Sequence, residues 1–137
     1  NLLIKFNQNF KMVYLVKNKW SRVKKLKVGD YTYDSNFEGH YAQELTMRKI
    51  AGEITDWKRQ VCIPLDVNGY HIANYYIDFI VYYPNGIIEY VETKGLPTEV
   101  WKIKWKIFEA LYSEKPNVKL LVVQQKSNWH IPKAKKL

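Results

Sequence analysis

The sequence predicts an α/β fold in which a mixed four-stranded sheet is flanked by helices, with the element order α-β-β-β-α-β. Three features carry this prediction: two segments with helix-capping residues and helical apolar spacing, three extended runs joined by tight-turn motifs, and a fourth extended run after the second helix. Short turns join antiparallel strands, whereas a helix between two strands favours a parallel crossover. The predicted sheet is therefore mixed.

The first helix is predicted over residues 35–51. Asp34 and Ser35 are good N-cap residues, and Glu38 follows Ser35 by three positions, as in a capping box. Gly52 is expected to end the helix, since glycine is common just after a helix C-terminus. The residues expected to face the core are Tyr41, Leu45 and Ile50.

Three extended segments follow, and two turn motifs separate them. Asn68-Gly69 is a strong signal for a tight hairpin. Pro84-Asn85-Gly86 fits a three-residue hairpin loop with a bulge, because Pro suits the first turn position and Gly the left-handed one. The β-branched and aromatic run before that loop is typical of a central strand buried on both faces, and Asp78 is the exception in it. The three strands are expected at residues 57–65, 71–83 and 87–94.

A second helix is predicted from Thr98, as its cap, to Ser113, and Pro116-Asn117 ends it. A fourth strand at 118–124 is expected to join in parallel through a right-handed crossover. The helix residues expected to face the core are Val100, Ile103, Ile107 and Leu111. A second apolar stripe on this helix favours either a homodimer contact or additional core packing; it consists of Trp101, Trp105, Phe108 and Tyr112.

The charge balance favours a polyanionic partner. There are 22 Lys and Arg residues against 13 Asp and Glu, which gives a formal charge of +9 and a pI of about 9.5. Such a balance suits nucleic acid or an anionic membrane surface. Lys102 and Lys106 share one face of the second helix and are candidate phosphate contacts, with an ordinary solvated surface as the alternative.

The composition of the chain predicts one domain with a short segment at each end. Residues 1–17 are expected to form an N-terminal extension, non-native or disordered, residues 18–128 a single domain, and residues 129–137 a basic C-terminal tail. Cys62, the only cysteine, is expected to be a small buried residue, so the chain is predicted to be cytoplasmic and free of disulfides. No apolar run approaches the ~20 residues of a membrane span, and no signal-peptide pattern is present. The three histidines lack zinc-ligand spacing, and no phosphate-binding glycine loop appears.

The feature that indicates chemistry is a pair of acids on neighbouring strands. If the turn makes Tyr83 pair with Ile87, then Asp78 lies directly opposite Glu92, with Lys94 on the same face. Cross-strand Cβ atoms are about 4.5 to 5.5 Å apart, a spacing at which two carboxylates can share one Mg²⁺ or Mn²⁺. The alternative is a cross-strand ion pair of Asp78 with Lys94, with Glu92 solvated on an open face.

These residues resemble the signature of the PD-(D/E)XK nuclease superfamily, which has an acid on one strand and Glu/Asp-x-Lys on the next. Ile77-Asp78 and Glu92-Thr93-Lys94 match it, with Ile77 where the superfamily name has Pro. The resemblance covers about residues 18–125 and is closest to an uncharacterised phage and prophage subfamily similar to Holliday junction resolvases. Supporting features are Asp34-Ser35 with Glu38, Ala51-Gly52-Glu53-Ile54, Gln60 and Lys94-Gly95.

The resemblance implies a restriction-endonuclease-like core and roles for individual residues. Asp78, Glu92 and the Thr93 backbone carbonyl would be metal ligands, and Lys94 would position the attacking water. Glu38 would supply a further acid, with the capping box as the alternative role. Gln60 would contact nucleic acid, with simple surface polarity as the alternative.

The implied activity is an endodeoxyribonuclease that hydrolyses phosphodiester bonds with Mg²⁺ or Mn²⁺. The implied substrate is DNA, including branched DNA, and the implied assembly is a homodimer in the cytoplasm of a bacterium or a phage-infected cell. Two alternatives stay open: a catalytically silent nucleic-acid-binding protein of the same fold, and a nuclease directed at RNA.

Overall fold

The computed structural model describes the backbone of residues 3–7, 11–15, 26–28, 31–33, 36–124 and 129–137, with side chains from residue 37 onwards in these ranges. It contains eight strands and two helices within them. The elements in chain order are β1 (Leu3–Asn7), β2 (Lys11–Leu15), β3 (Leu26–Val28), β4 (Tyr31–Tyr33), α1 (Asn36–Ile50), β5 (Asp56–Val67), β6 (Tyr70–Tyr82), β7 (Ile88–Lys94), α2 (Glu99–Tyr112) and β8 (Val118–Gln124).

The predicted α-β-β-β-α-β order is confirmed by α1, β5, β6, β7, α2 and β8. The cap of the second helix is confirmed too, since the Thr98 hydroxyl accepts a hydrogen bond from the Trp101 amide at 3.2 Å. The predicted caps of the first helix, Asp34 and Ser35, lie outside the described residues. The α/β fold class predicted from turn and helix signals is therefore the observed one.

The sheet is mixed, with the strand order β1-β2-β8-β7-β6-β5. The four predicted strands, β5 to β8, form its larger part: β5, β6 and β7 are antiparallel neighbours, and β8 pairs in parallel with β7. At the other side of β8 the sheet continues into β2, which is parallel to β8, and then β1. The segment interpreted as an N-terminal extension therefore supplies two further strands to the sheet. The short strands β3 and β4 pair separately.

Both predicted turns form as the residues require. Asn68 and Gly69 have φ angles of +51° and +81°, the left-handed pair that a tight hairpin between β5 and β6 needs. In the next loop, the Tyr83 amide donates to the Ile87 carbonyl at 2.9 Å, and Gly86 has φ of +84°. The loop length fixes the register of β6 and β7, which runs from Tyr82 opposite Ile88 to Phe79 opposite Val91.

One helix covers each face of the sheet. The core cluster on the α1 side joins helix residues to alternate sheet positions: Phe37, Tyr41, Ala42, Leu45, Ile54, Phe79, Val81, Val91, Leu121 and Val123. The cluster on the α2 side is richer in aromatic residues and consists of Ile63, Leu65, Tyr75, Ile77, Ile80, Trp101, Trp105, Phe108, Leu120 and Val122. The site described below lies between these two layers.

Some predicted core positions were wrong. Ile50 is 76% exposed at the end of α1, and Val100 and Ile103 are 63% and 58% exposed on α2. The sheet instead buries the aromatic stripe that begins at Trp101 and Trp105, because large aromatic rings remove more apolar area from water than aliphatic ones. Core packing, the second interpretation of that stripe, is confirmed. The homodimer stays a prediction without this support.

The C-terminal segment packs against α2. Trp129 meets Trp101 edge to face with centroids 5.8 Å apart, and the Trp129 indole donates to the Gly95 carbonyl at 3.1 Å. The Ala134 amide donates to the Glu109 carboxylate at 3.2 Å. Cys62, which was expected to be buried, is exposed on β5. Neither helix in the described part of the chain is long and apolar enough to cross a membrane.

Candidate functional site

The side-chain alternation of β5 and β6 changes at Gln60 and Asp78. Tyr75 and Ile77 belong to the α2-side cluster, yet Phe79 and Val81 belong to the α1-side cluster, although strict alternation would keep all four on one face. Gln60, which lies opposite Asp78, has φ of +47°, a left-handed conformation that is uncommon for a residue other than glycine. At Gln60 and Asp78, therefore, the side chains of β5 and β6 switch from one face of the sheet to the other.

Asp78 is held in place by hydrogen bonds from two strands. Its Oδ2 atom accepts from the Thr93 amide and from the Thr93 hydroxyl, both at 2.8 Å. Its Oδ1 atom accepts from Gln60 Nε2 at 3.0 Å. The β6–β7 pairing runs as far as Phe79 opposite Val91, and beyond it the Asp78 carboxylate bonds to the β7 backbone. The predicted register thus brings Asp78 beside the Glu92–Lys94 segment.

Glu38 reaches Asp78 through Gln60. Gln60 Nε2 donates to Glu38 Oε1 at 3.1 Å as well as to Asp78 Oδ1. Glu38 stands in the first turn of α1, where the helix dipole favours an acid. The amide of Gln60 therefore bridges two carboxylates from different elements, and both residues singled out by the resemblance lie at Asp78.

Glu92 lies deeper and is held from the α2 side. It is 4% exposed, and its Oε2 atom accepts from the Tyr75 hydroxyl at 2.8 Å. The Tyr75 oxygen in turn accepts from the Trp101 indole at 3.3 Å. Lys94 Nζ lies 3.9 Å from Glu92 Oε1 and 5.2 Å from the centroid of the Trp101 ring. The alternative in which Glu92 is a solvated residue is wrong, since Glu92 is buried.

One cavity of about 330 Å³ collects these groups. It is lined by Phe37, Glu38, Asp78, Glu92, Thr93, Lys94, Gly95 and Leu96. Asp78 is hydrogen-bonded to Gln60, which also bonds to Glu38 on α1. Glu92 is hydrogen-bonded to Tyr75 on the α2 side of the sheet. Three carboxylates and one ammonium group therefore surround the same space, a charge imbalance that favours a bound cation.

The electrostatics of the acids agree with this imbalance. Burial raises the pKa of Asp78 above its ordinary value, opposed by hydrogen bonds from Thr93 and by the charge of Lys94. Burial, followed by the negative charge of Asp78, raises the pKa of Glu92 well above its ordinary value, against the hydrogen bond from Tyr75. The Asp78 shift expresses the cost of taking the charge out of water, and the Glu92 shift adds repulsion by a neighbouring acid to that cost.

The donor set fits a hard divalent cation. Mg²⁺ binds oxygen ligands and commonly takes only one or two protein carboxylates, with water and substrate oxygens completing its shell. The described residues contain no group of three or more His, Cys, Asp or Glu side chains arranged as a metal site. Asp78 and Glu92 are a two-carboxylate set, and an ionised carboxylate has about four acceptor positions, so both keep acceptor capacity beyond their protein contacts.

Other residues predicted from sequence lie elsewhere or act differently. Lys102 forms an ion pair with Glu99 at 2.6 Å on α2, and Lys106 is exposed on the same helix. The described contacts of Thr93 are made by its amide and hydroxyl, which hold Asp78, and ligation by its carbonyl stays a prediction. Tyr75 and Trp101 were missed, because simple alternation gives no reason to place Tyr75 beside Glu92.

The comparisons with known proteins identify the family. Neither the curated proteins nor the solved structures give a match to this chain. A family model described as "Protein of unknown function (DUF1064)" matches residues 17–128, which contain both helices, the strands β3 to β8 and every residue of the cavity. Because the match spans well over half of the chain, the protein belongs to the DUF1064 family.

Proposed function

We propose that this protein is a metal-dependent endodeoxyribonuclease that hydrolyses phosphodiester bonds, with branched DNA as a substrate. The observation that carries the proposal is the meeting of Asp78, Glu92 and Lys94 in one cavity, where acids outnumber the cation. A buried acid beside a half-buried one costs folding free energy, and a protein that only binds nucleic acid gains nothing from acids that face phosphates. The net charge of +9 supports a polyanionic substrate.

Asp78 and Glu92 would hold Mg²⁺ or Mn²⁺. A divalent cation there supplies Lewis-acid chemistry by polarising a phosphate oxygen and neutralising charge. Thr93 and Gln60 fix the Asp78 carboxylate, so this ligand needs little reorganisation when the cation binds. Glu38 on α1 accepts a hydrogen bond from the Gln60 amide group that also holds Asp78, and it would add a third carboxylate near the cation.

Lys94 has two tasks in the proposed reaction. Its ammonium group lies 3.9 Å from Glu92 Oε1, where it can orient the attacking water and stabilise the charge that develops on the phosphate. In the hydrolysis, the water oxygen forms a bond to phosphorus and gives up a proton, the bond to the leaving sugar oxygen breaks, and that oxygen takes up a proton. The overall step consumes one water and needs no oxidant or nucleotide.

The proposed setting is the cytoplasm of a bacterium or a phage-infected cell. The lone cysteine, Cys62, is exposed on β5, which suits a reducing compartment. Lys102 and Lys106 on α2 are proposed phosphate contacts, and a homodimer would present two such cavities to a branched substrate.

The experiment is a cleavage assay with end-labelled four-way junction, duplex and single-stranded DNA, and with RNA of the same sequences, in Mg²⁺, Mn²⁺ or EDTA. Wild type is compared with Asp78→Asn, which keeps the shape of the side chain. Asp66→Asn is the control, because Asp66 is an exposed acid at the far end of β5. We expect metal-dependent DNA cleavage that Asp78→Asn loses and Asp66→Asn keeps. Binding without cleavage would leave a silent binder, and cleavage of RNA alone would reassign the substrate.

A further inference from the structure

A chain of hydrogen bonds leads from α2 to the Glu92 carboxylate. The Trp101 indole donates to the Tyr75 hydroxyl at 3.3 Å, and that hydroxyl donates to Glu92 Oε2 at 2.8 Å. Tyr75 and Trp101 are 3% and 6% exposed, so water does not readily replace either bond. The bond from Tyr75 occupies Oε2, and Oε1 is the atom that Lys94 approaches.

The same indole also contacts Lys94. Lys94 Nζ lies 5.2 Å from the centroid of the Trp101 ring, within the range of a cation–π interaction. Glu92 and Lys94 stand two residues apart on β7, and Trp101 contacts both: its ring faces Lys94, and its indole N–H interacts with Glu92 as well as with Tyr75. One aromatic side chain therefore helps to set the position of the acid and of the cation that the proposed function places in the site.

Trp101 is itself rigidly held. Its ring stacks on Trp105 with centroids 5.9 Å apart and an interplanar angle of 22°, and Trp129 meets it edge to face at 83°. Tyr75 packs against Phe108 with centroids 5.3 Å apart. A side chain fixed on several sides can hold a ligand within the narrow geometry that metal binding requires.

The Tyr75 hydroxyl is the donor in its bond to Glu92, because an ionised carboxylate can only accept hydrogen bonds. Donors that hold a ligating carboxylate in this way typically change metal affinity by about 10- to 100-fold when they are removed.

From these contacts we propose that Tyr75 and Trp101 are positioning residues, which hold Glu92 and Lys94 in the orientation that binds a divalent cation. The inference rests on the proposed function, because it concerns the same site. It predicts that loss of one buried hydroxyl, outside the acids and the lysine, weakens metal binding without changing the chemistry of the reacting groups.

The test is a titration of Mn²⁺ followed by electron paramagnetic resonance, which reports free ion directly. Tyr75→Phe removes only the hydroxyl, and Tyr90→Phe is the matched control, since Tyr90 packs on Phe108 in the same aromatic cluster. We expect the Mn²⁺ dissociation constant to rise by about 10-fold or more in Tyr75→Phe. Tyr90→Phe should bind Mn²⁺ as wild type does.

Cleavage supplies a second readout that a general loss of structure would not mimic. Tyr75→Phe should need about 10-fold more Mn²⁺ for half-maximal cleavage, yet reach the wild-type maximal rate when Mn²⁺ is saturating. If circular dichroism shows that Tyr75→Phe is unfolded, Trp101→Phe takes its place, because it removes the indole donor at the start of the chain of hydrogen bonds. That variant should weaken Mn²⁺ binding in the same direction.

The outcomes separate this inference from the proposed function. If wild type binds Mn²⁺ and cleaves DNA while folded Tyr75→Phe binds Mn²⁺ equally well, the positioning role is overturned and the nuclease stands. If wild type neither binds Mn²⁺ nor cleaves any substrate, the proposed function fails and this inference fails with it.

Discussion

Replacing Glu92 by Gln should stabilise the metal-free protein at neutral pH. Glu92 is 4% exposed, and burial with the nearby charge of Asp78 raises its pKa well above the ordinary value. Gln has the same shape and keeps an acceptor for the Tyr75 hydroxyl, which now lies 2.8 Å from Glu92 Oε2. The substitution removes the cost of the buried charge and also its attraction to Lys94 Nζ, 3.9 Å from Glu92 Oε1, but burial and the repulsion by Asp78 outweigh that attraction.

The sign follows from proton linkage. A carboxyl whose pKa is raised in the folded state binds its proton more tightly there than in the unfolded chain. Its contribution to stability is complete below the unfolded pKa, about 4.3 for Glu, and is lost as pH rises through the folded pKa. Each unit by which the folded pKa exceeds the unfolded value corresponds to about 1.4 kcal/mol. The advantage of Glu92→Gln over wild type should thus be small at pH 4 and grow towards neutral pH.

The assay is urea denaturation in EDTA at several pH values between 4 and 8.5, followed by tryptophan fluorescence. Glu44→Gln is the control, because Glu44 is an exposed acid on α1, and surface changes usually alter stability by less than about 0.5 kcal/mol. A constant difference between Glu92→Gln and wild type at every pH, or a less stable Glu92→Gln at pH 7, would refute the account of a buried, repelled carboxylate.

Three further predictions concern the same cavity. Asp78→Ala should have a free energy of unfolding about 1 to 3 kcal/mol lower than that of Asp78→Asn in urea denaturation, because the Thr93 amide and hydroxyl lose their acceptor. Equal stabilities of the two variants would contradict this role of Asp78. Mg²⁺ at about 100 times its dissociation constant should stabilise wild type by roughly 2.7 kcal/mol. This corresponds to a rise in Tm of about 10 °C, which differential scanning fluorimetry can measure. A similar rise in Asp78→Asn would mean that the cation binds elsewhere. Lys94→Gln should reduce the single-turnover cleavage rate by about 100-fold or more while the protein stays folded, because it removes the charge that stabilises the transition state, and an unchanged rate would remove Lys94 from the chemistry.

The elements and turns of this fold could be predicted because their signals are local. Asn68-Gly69 and Pro84-Asn85-Gly86 specify their turns through φ preferences, and the loop length then fixes the register that brings Asp78 to the Glu92 segment. Thr98 as a cap is equally local. In each case a few neighbouring residues determine the backbone conformation, so the sequence alone is enough to predict it.

The remaining features depend on tertiary packing. At Asp78 the side chains of β6 switch from one face of the sheet to the other, and Gln60 opposite it is left-handed, a conformation that its residue type does not predict. Because of this switch, Tyr75 lies on the face where it can bond to Glu92. The burial of Trp101 in place of Ile103 was likewise settled by the competition of two apolar stripes for one sheet face. Periodicity finds such stripes, but the area available on the sheet decides between them.

Glu38 combines a feature that local sequence predicts with one that depends on tertiary packing. Its place in the first turn of α1 was predictable from the capping pattern, whereas its contact with Gln60 depends on how α1 packs across β5. The resemblance to the PD-(D/E)XK superfamily pointed to both residues, yet the bridge between Glu38 and Asp78 could only be seen in three dimensions.

The most direct test of the central claim is the single-turnover rate at which wild type and Asp78→Asn cleave an end-labelled four-way DNA junction in Mg²⁺. We expect cleavage by wild type that EDTA abolishes, and a rate at least about 100-fold lower in the folded Asp78→Asn protein, because loss of a major electrostatic contribution to a transition state costs about 100- to 1,000-fold. Equal cleavage by both proteins, or no cleavage of any nucleic acid by wild type in Mg²⁺ or Mn²⁺, would contradict it.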